Sequence, residues 1–103
     1  MDRLKKKNYI KIIDEKFIVP YDKGGGIIKF EAWEYENKIV KYNMVYINKS
    51  VFPNDNGRVM GYDNSHDFHH KHYFGQITEL DDFLGYEELV QRFKKDIKEF
   101  IQW

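Results

Sequence analysis

The 103-residue chain is 42% apolar and 17% aromatic, too rich for a disordered polypeptide and long enough for one domain, residues 1–103. Its 17 basic and 17 acidic side chains cancel, which argues against a nucleic-acid coat, since counterion release needs a clearly positive surface. Having no cysteine, it has no disulfides, thiolate zinc sites or cysteine nucleophiles.

A small domain without disulfides is expected in the reducing cytoplasm. Met1 to Lys7 is basic with no apolar run behind it, unlike a signal peptide. No stretch approaches the ~18 consecutive apolar residues of a membrane span. Lys5-Lys6-Lys7 reads as a solvated tail.

In chain order, Tyr9 to Ile13 and Phe17 to Val19 are short β-prone runs around a polar Asp14-Glu15-Lys16 corner, and Pro20 stops the second. Gly24-Gly25-Gly26 is a turn. A phosphate-cradling loop would need a helix straight after the glycines, whereas Ile27 to Tyr35 has the character of a strand. Glu36-Asn37 turns the chain into a strand from Ile39 to Ile47, whose alternate residues Val40, Tyr42, Met44 and Tyr46 mark a core face. The turn-rich segment Pro53 to Gly57, ending in Asn-Gly, delivers a strand from Arg58 to Tyr62. The Asp63-Asn64-Ser65 bend precedes another near His70 to Phe74.

Leu89, Val90, Phe93, Ile97, Phe100 and Ile101 share one helical face. Gly85 is the expected N-cap, Glu87 and Glu88 suit the helix dipole, Leu84 and Leu89 hold staple positions, and Glu88 and Arg92 form an i,i+4 pair. The expected fold is α+β: a curved antiparallel β-sheet packed by one C-terminal amphipathic α-helix.

All four histidines fall between His66 and His72. With a reference pKa near 6.5, histidine exchanges protons at neutral pH. Strand alternation puts His70 and His72 on one face and His69, Lys71 and Tyr73 on the other. Two imidazoles on one face suit a base and acid pair for RNA cleavage by its own 2′-OH, with Arg58 and Lys71 as candidate cations. Tyr62 and Tyr73 are candidates for base stacking. Asp63 and Asn64 stand beside them on the substrate side. The alternative chemistry is a metal held by His70 and His72 with Asp63 or His66, although the spacing matches no closed zinc pattern. A third possibility is an exposed edge strand whose histidines are solvated, with Asp63-Asn64-Ser65 simply making a turn.

Gly61-Tyr62-Asp63-Asn64, then His69-His70-Lys71-His72 and Gly75, then an amphipathic helix over Tyr86 to Ile101, resembles the TumE family of toxins from prokaryotic toxin–antitoxin systems. The specific part of the likeness lies between residues 58 and 75. His66 and His69 are additions to the family pattern, and Gly61 stands where many relatives carry arginine. The resemblance implies a toxin partnered by a helix-turn-helix antitoxin; it implies no mechanism. The leading expectation is a small metal-independent ribonuclease without cofactor. The others are a non-enzymatic module that binds and blocks a cellular protein, and a metal-dependent nuclease. RNA and the antitoxin are the expected partners, a membrane is not, and oligomer formation is left open.

Overall fold

Period-two alternation governs most of the chain, and the strands it produces pair in sequence order. The computed structural model describes residues 8–102, and of His66 the backbone only; Lys5-Lys6-Lys7 and the His66 side chain lie outside the described residues. Six strands run as β1 (Ile10–Ile18), β2 (Ile27–Tyr35), β3 (Lys38–Ile47), β4 (Arg58–Asp63), β5 (His70–Tyr73) and β6 (Gln76–Glu79). They form one open antiparallel sheet in the order β1-β2-β3-β4-β5-β6. The helix α1 (Tyr86–Asp96) follows and tightens into a 3₁₀ turn at Ile97–Glu99. The architecture is α+β, with a curved antiparallel sheet and one C-terminal helix.

Register places the apolar alternates in rows across the sheet. Ile28 pairs with Tyr46 and Tyr46 with Met60; Phe30 pairs with Met44 and Met44 with Tyr62. These residues are buried together with Ala32, Tyr42, Leu89, Phe93, Ile97 and Ile101. Phe93 stands edge-on to Phe30 at 5.5 Å and to Tyr62 at 6.4 Å. Each apolar side chain buried here contributes about 1.5–3 kcal/mol, so α1 is held by its stripe rather than by helix propensity. Shifts of register at Lys11/Ile13, Trp33/Glu34 and Tyr46/Ile47 bend the sheet, as bulges do.

Three expectations change. The Asp14-Glu15-Lys16 corner is absent: those residues pair straight through with Glu31, Phe30 and Lys29 of β2, and an exposed edge strand tolerates polar side chains on both faces. The Leu84–Leu89 staple does not form, since Leu84 is 75% exposed while Leu89 is fully buried; Gly85 still accepts the first helical bond, from the Leu89 amide at 3.1 Å. Strand β6 was unmarked because all four of its residues are exposed. Phe74 and Gly75, both at positive φ, make the two-residue turn that leads into it.

Candidate functional site

The helix covers one face of the sheet; the opposite face is open around Trp33 and Lys41 but closed over Asp63, His70 and His72. Alternation assigns each candidate residue to one of the two. Asp63, the last residue of β4, sits directly across from His70 at the start of β5. Its Oδ1 accepts from the Ser65 amide at 3.0 Å and the Ser65 hydroxyl at 2.8 Å. This local bend is of the kind that short polar side chains favour. His70 Nε2 lies 2.8 Å from the same oxygen, and His72 Nε2 lies 2.9 Å from Oδ2. The two rings are 4.9 Å apart. Both are nearly buried, His70 at 3% and His72 at 5% exposure.

Protonation follows from these contacts. Burial pushes the Asp63 carboxyl up, but the two Ser65 hydrogen bonds, with the charges of His70 and His72, outweigh it and hold the group below the ordinary carboxylate range. Burial and then the Arg58 charge hold His72 below the usual imidazole range despite its Asp63 contact. The acid–base pair suggested by alternation needs ring nitrogens open to substrate, and here both Nε2 atoms are engaged with one carboxylate. Arg58 is gripped by Asp55 at 2.9 and 3.1 Å and brings Nη1 to 3.9 Å from Asp63 Oδ2.

Lys71, Tyr62 and Tyr73 are on the helix side, away from this centre. Lys71 Nζ lies over the rings of Tyr62 and Tyr73 at 5.7 and 5.5 Å and 3.7 Å from Asp96. The Tyr62 ring is fully buried and its hydroxyl donates to Asp96, which leaves no face for a base. Tyr73 donates to Glu99. Asn64 stitches the end of β4 to β3: its Oδ1 accepts from the Tyr42 amide at 3.0 Å and its Nδ2 donates to the Val40 carbonyl at 2.9 Å. His69 stacks on Phe83 at 3.6 Å. Its Nδ1 lies 2.8 Å from the Tyr42 hydroxyl, which burial keeps protonated.

The open face also carries residues that the sequence had not marked. Lys11, Trp33 and Lys41 form one cross-strand row, with Lys11 Nζ 5.1 Å and Lys41 Nζ 4.7 Å from the Trp33 ring centre. Glu31, Asn43 and Asp63 make the next row. A depression of about 260 Å³ joins the rows, lined by Glu31, Trp33, Lys41, Asn43, Asp63 and Ser65 among others. The signal was available in principle, as Lys29, Glu31 and Trp33 alternate with buried Ile28, Phe30 and Ala32.

An open meander backed by one helix, with a histidine–carboxylate centre on its bare face, defines the class of domain. The family model described as Toxin TumE matches residues 10–101, and the chain belongs to that toxin family. Membership makes it the toxin of a toxin–antitoxin system, with an antitoxin as its partner. No curated protein and no solved structure matches it. Among the described residues no helix is long and apolar enough to cross a membrane.

Proposed function

We propose that this toxin acts on RNA and cleaves it on the open face, at the Asp63–His70–His72 centre. The observation that supports this is the depression that runs from Trp33 and Lys41 to Asp63. An indole flanked by two ammonium groups suits an unpaired base with its phosphates, because stacking contributes about 1–3 kcal/mol per base whatever its identity. Arg58 is the cation for the scissile phosphate. In the reaction the 2′-oxygen bonds to phosphorus as the bond to the 5′-oxygen breaks. The 2′-OH proton leaves to the Asp63 centre, and the departing 5′-oxygen takes up a proton from water. Lys71, Tyr62 and Tyr73 hold the sheet to the helix in this reading, and Asn64 positions Asp63. The partner that silences the toxin is a helix-turn-helix antitoxin, and covering the open face is the simplest way to do so.

Tag-free protein incubated with defined single-stranded RNAs tests the reading. Wild type should cleave them, and loss of the His72 imidazole should lower the rate by on the order of 10²–10⁴. Growth arrest by a protein that leaves RNA intact would transfer the function to a module that blocks a cellular protein.

A further inference from the structure

We infer that Asp63, His70 and His72 hold a divalent metal ion of the zinc or manganese type. The two imidazoles and one carboxylate present ligand atoms all within 4.8 Å of one another. That donor set, three protein ligands with a fourth position left over, is the composition of catalytic rather than structural metal sites.

The orientation of His70 carries the argument. Its Nδ1 lies 3.1 Å from the Phe68 carbonyl oxygen. A carbonyl only accepts, so Nδ1 bears the hydrogen. That leaves Nε2 pointed at Asp63 Oδ1, 2.8 Å away. Two bare acceptor atoms do not stay in contact inside a nearly dry site, so this contact is filled by a proton or by a cation. A backbone carbonyl holding one ring nitrogen so that the other can ligate is the usual support of a metal-bound histidine.

The rest of the centre is built for the same task. Ser65 pins Oδ1 of Asp63 through its amide and hydroxyl, as outer partners orient a ligating carboxylate. An ion bound at about 2.0–2.2 Å from nitrogen and oxygen needs its donors roughly 3–3.5 Å apart. His70 and His72 lie 2.8 and 2.9 Å from different oxygens of Asp63, and the ligand atoms of all three fall within 4.8 Å of one another, so a small adjustment seats the ion. All three donors stand on hydrogen-bonded strands, a more rigid support than a loop. Gly61 lies opposite His72, and a Cβ there would meet the Met44 carbonyl at 2.5 Å, so β3 and β4 approach closely behind the site. Arg58 is paired mainly with Asp55, at 2.9 Å, and reaches Asp63 only at 3.9 Å. The depression lined by Asp63 and Ser65 is the side from which a further ligand would approach.

Binding of the ion stands on this geometry alone; its use in activating the attacking oxygen rests on the RNA reading. The test is titration of tag-free, EDTA-treated protein with ZnCl₂, MnCl₂ and CoCl₂ by calorimetry, with the visible bands of bound Co²⁺ as a second readout. One ion should bind per chain. His70→Ala and His72→Ala should each abolish saturable binding, and Ser65→Ala should weaken it about 10–100-fold. Circular dichroism shows whether each variant is folded. If the alanine variants do not fold, the wild-type imidazole nitrogen NMR spectrum decides. Loss of the His70 Nε2 proton on adding Zn²⁺ supports the site, and a doubly protonated His70 that ignores Zn²⁺ overturns it. Equal binding by folded variants and wild type also overturns it. RNA cleavage that survives EDTA with no ion bound would sink the metal and keep the RNA reading. One bound ion with RNA left intact would do the reverse.

Discussion

At the scale of single residues, Asp63 is the pivot. Ser65 donates to its carboxylate twice, and the Nε2 atoms of His70 and His72 lie 2.8 and 2.9 Å from its two oxygens. Asp63→Asn removes the charge and sets an amide donor against an imidazole N–H. A cost of about 2–4 kcal/mol is expected, read by urea denaturation in EDTA at neutral pH. The folded Asp63 titrates below its unfolded value near 4. Its stabilisation is therefore complete above that pH and fades as the pH falls through the folded value. The deficit of Asp63→Asn should shrink toward zero in acid; a deficit unchanged at pH 2 would show that the carboxylate charge is not what matters. Trp33 is exposed to a different test, since it touches no member of the centre. Trp33→Ala should weaken binding of single-stranded RNA by about 1–3 kcal/mol, measured by fluorescence anisotropy, with thermal stability little changed. The sequence pointed to the Asp63 and histidine segment because histidine clustering and strand alternation are local. It did not point to Trp33, whose meaning comes from neighbours 22 and 8 positions away, Lys11 and Lys41, brought alongside by the register.

At the scale of elements, α1 shows how a stripe becomes a docking surface. Phe93 is fully buried against Phe30 and Tyr62, so Phe93→Ala should cost about 3–5 kcal/mol. A loss under ~1 kcal/mol on chemical denaturation would mean that the helix is anchored elsewhere. The β2–β3 hairpin offers a change of opposite sign. Glu36 and Asn37 both have positive φ, a conformation that asparagine tolerates and glutamate does not favour. Glu36→Asn should raise stability by about 0.5 kcal/mol, visible as a higher Tm. The helix stripe and the long strands β2 and β3 were legible because their periodicity repeats over nine residues or more. The edge strands were not, because β1 and β6 have little burial to impose a pattern; β1 exists as one strand only because β2 pairs with its whole length.

At the scale of the whole molecule, one helix lies across part of a six-stranded sheet, so the two faces have different work. The helix-covered face holds the core, and the opposite face holds the nearly buried histidine centre and the more open Trp33 row. Hydrogen exchange of the toxin–antitoxin complex separates the faces. Protection should fall within residues 58–75 if the antitoxin blocks the centre, and protection confined to β1 would show inhibition from the far edge instead. From the sequence alone followed the α+β class, the C-terminal helix, the resemblance to the toxin family and the placing of His70 and His72 on one face. Each depends on local periodicity or on a short motif, which chain neighbours suffice to define. Only the tertiary structure decided that Lys71, Tyr62 and Tyr73 belong to the helix side and that both imidazoles close on one carboxylate. It also turned the Phe68 carbonyl toward His70. The reason is that hydrogen-bond partners are chosen by strand register and burial, which join residues the chain keeps apart.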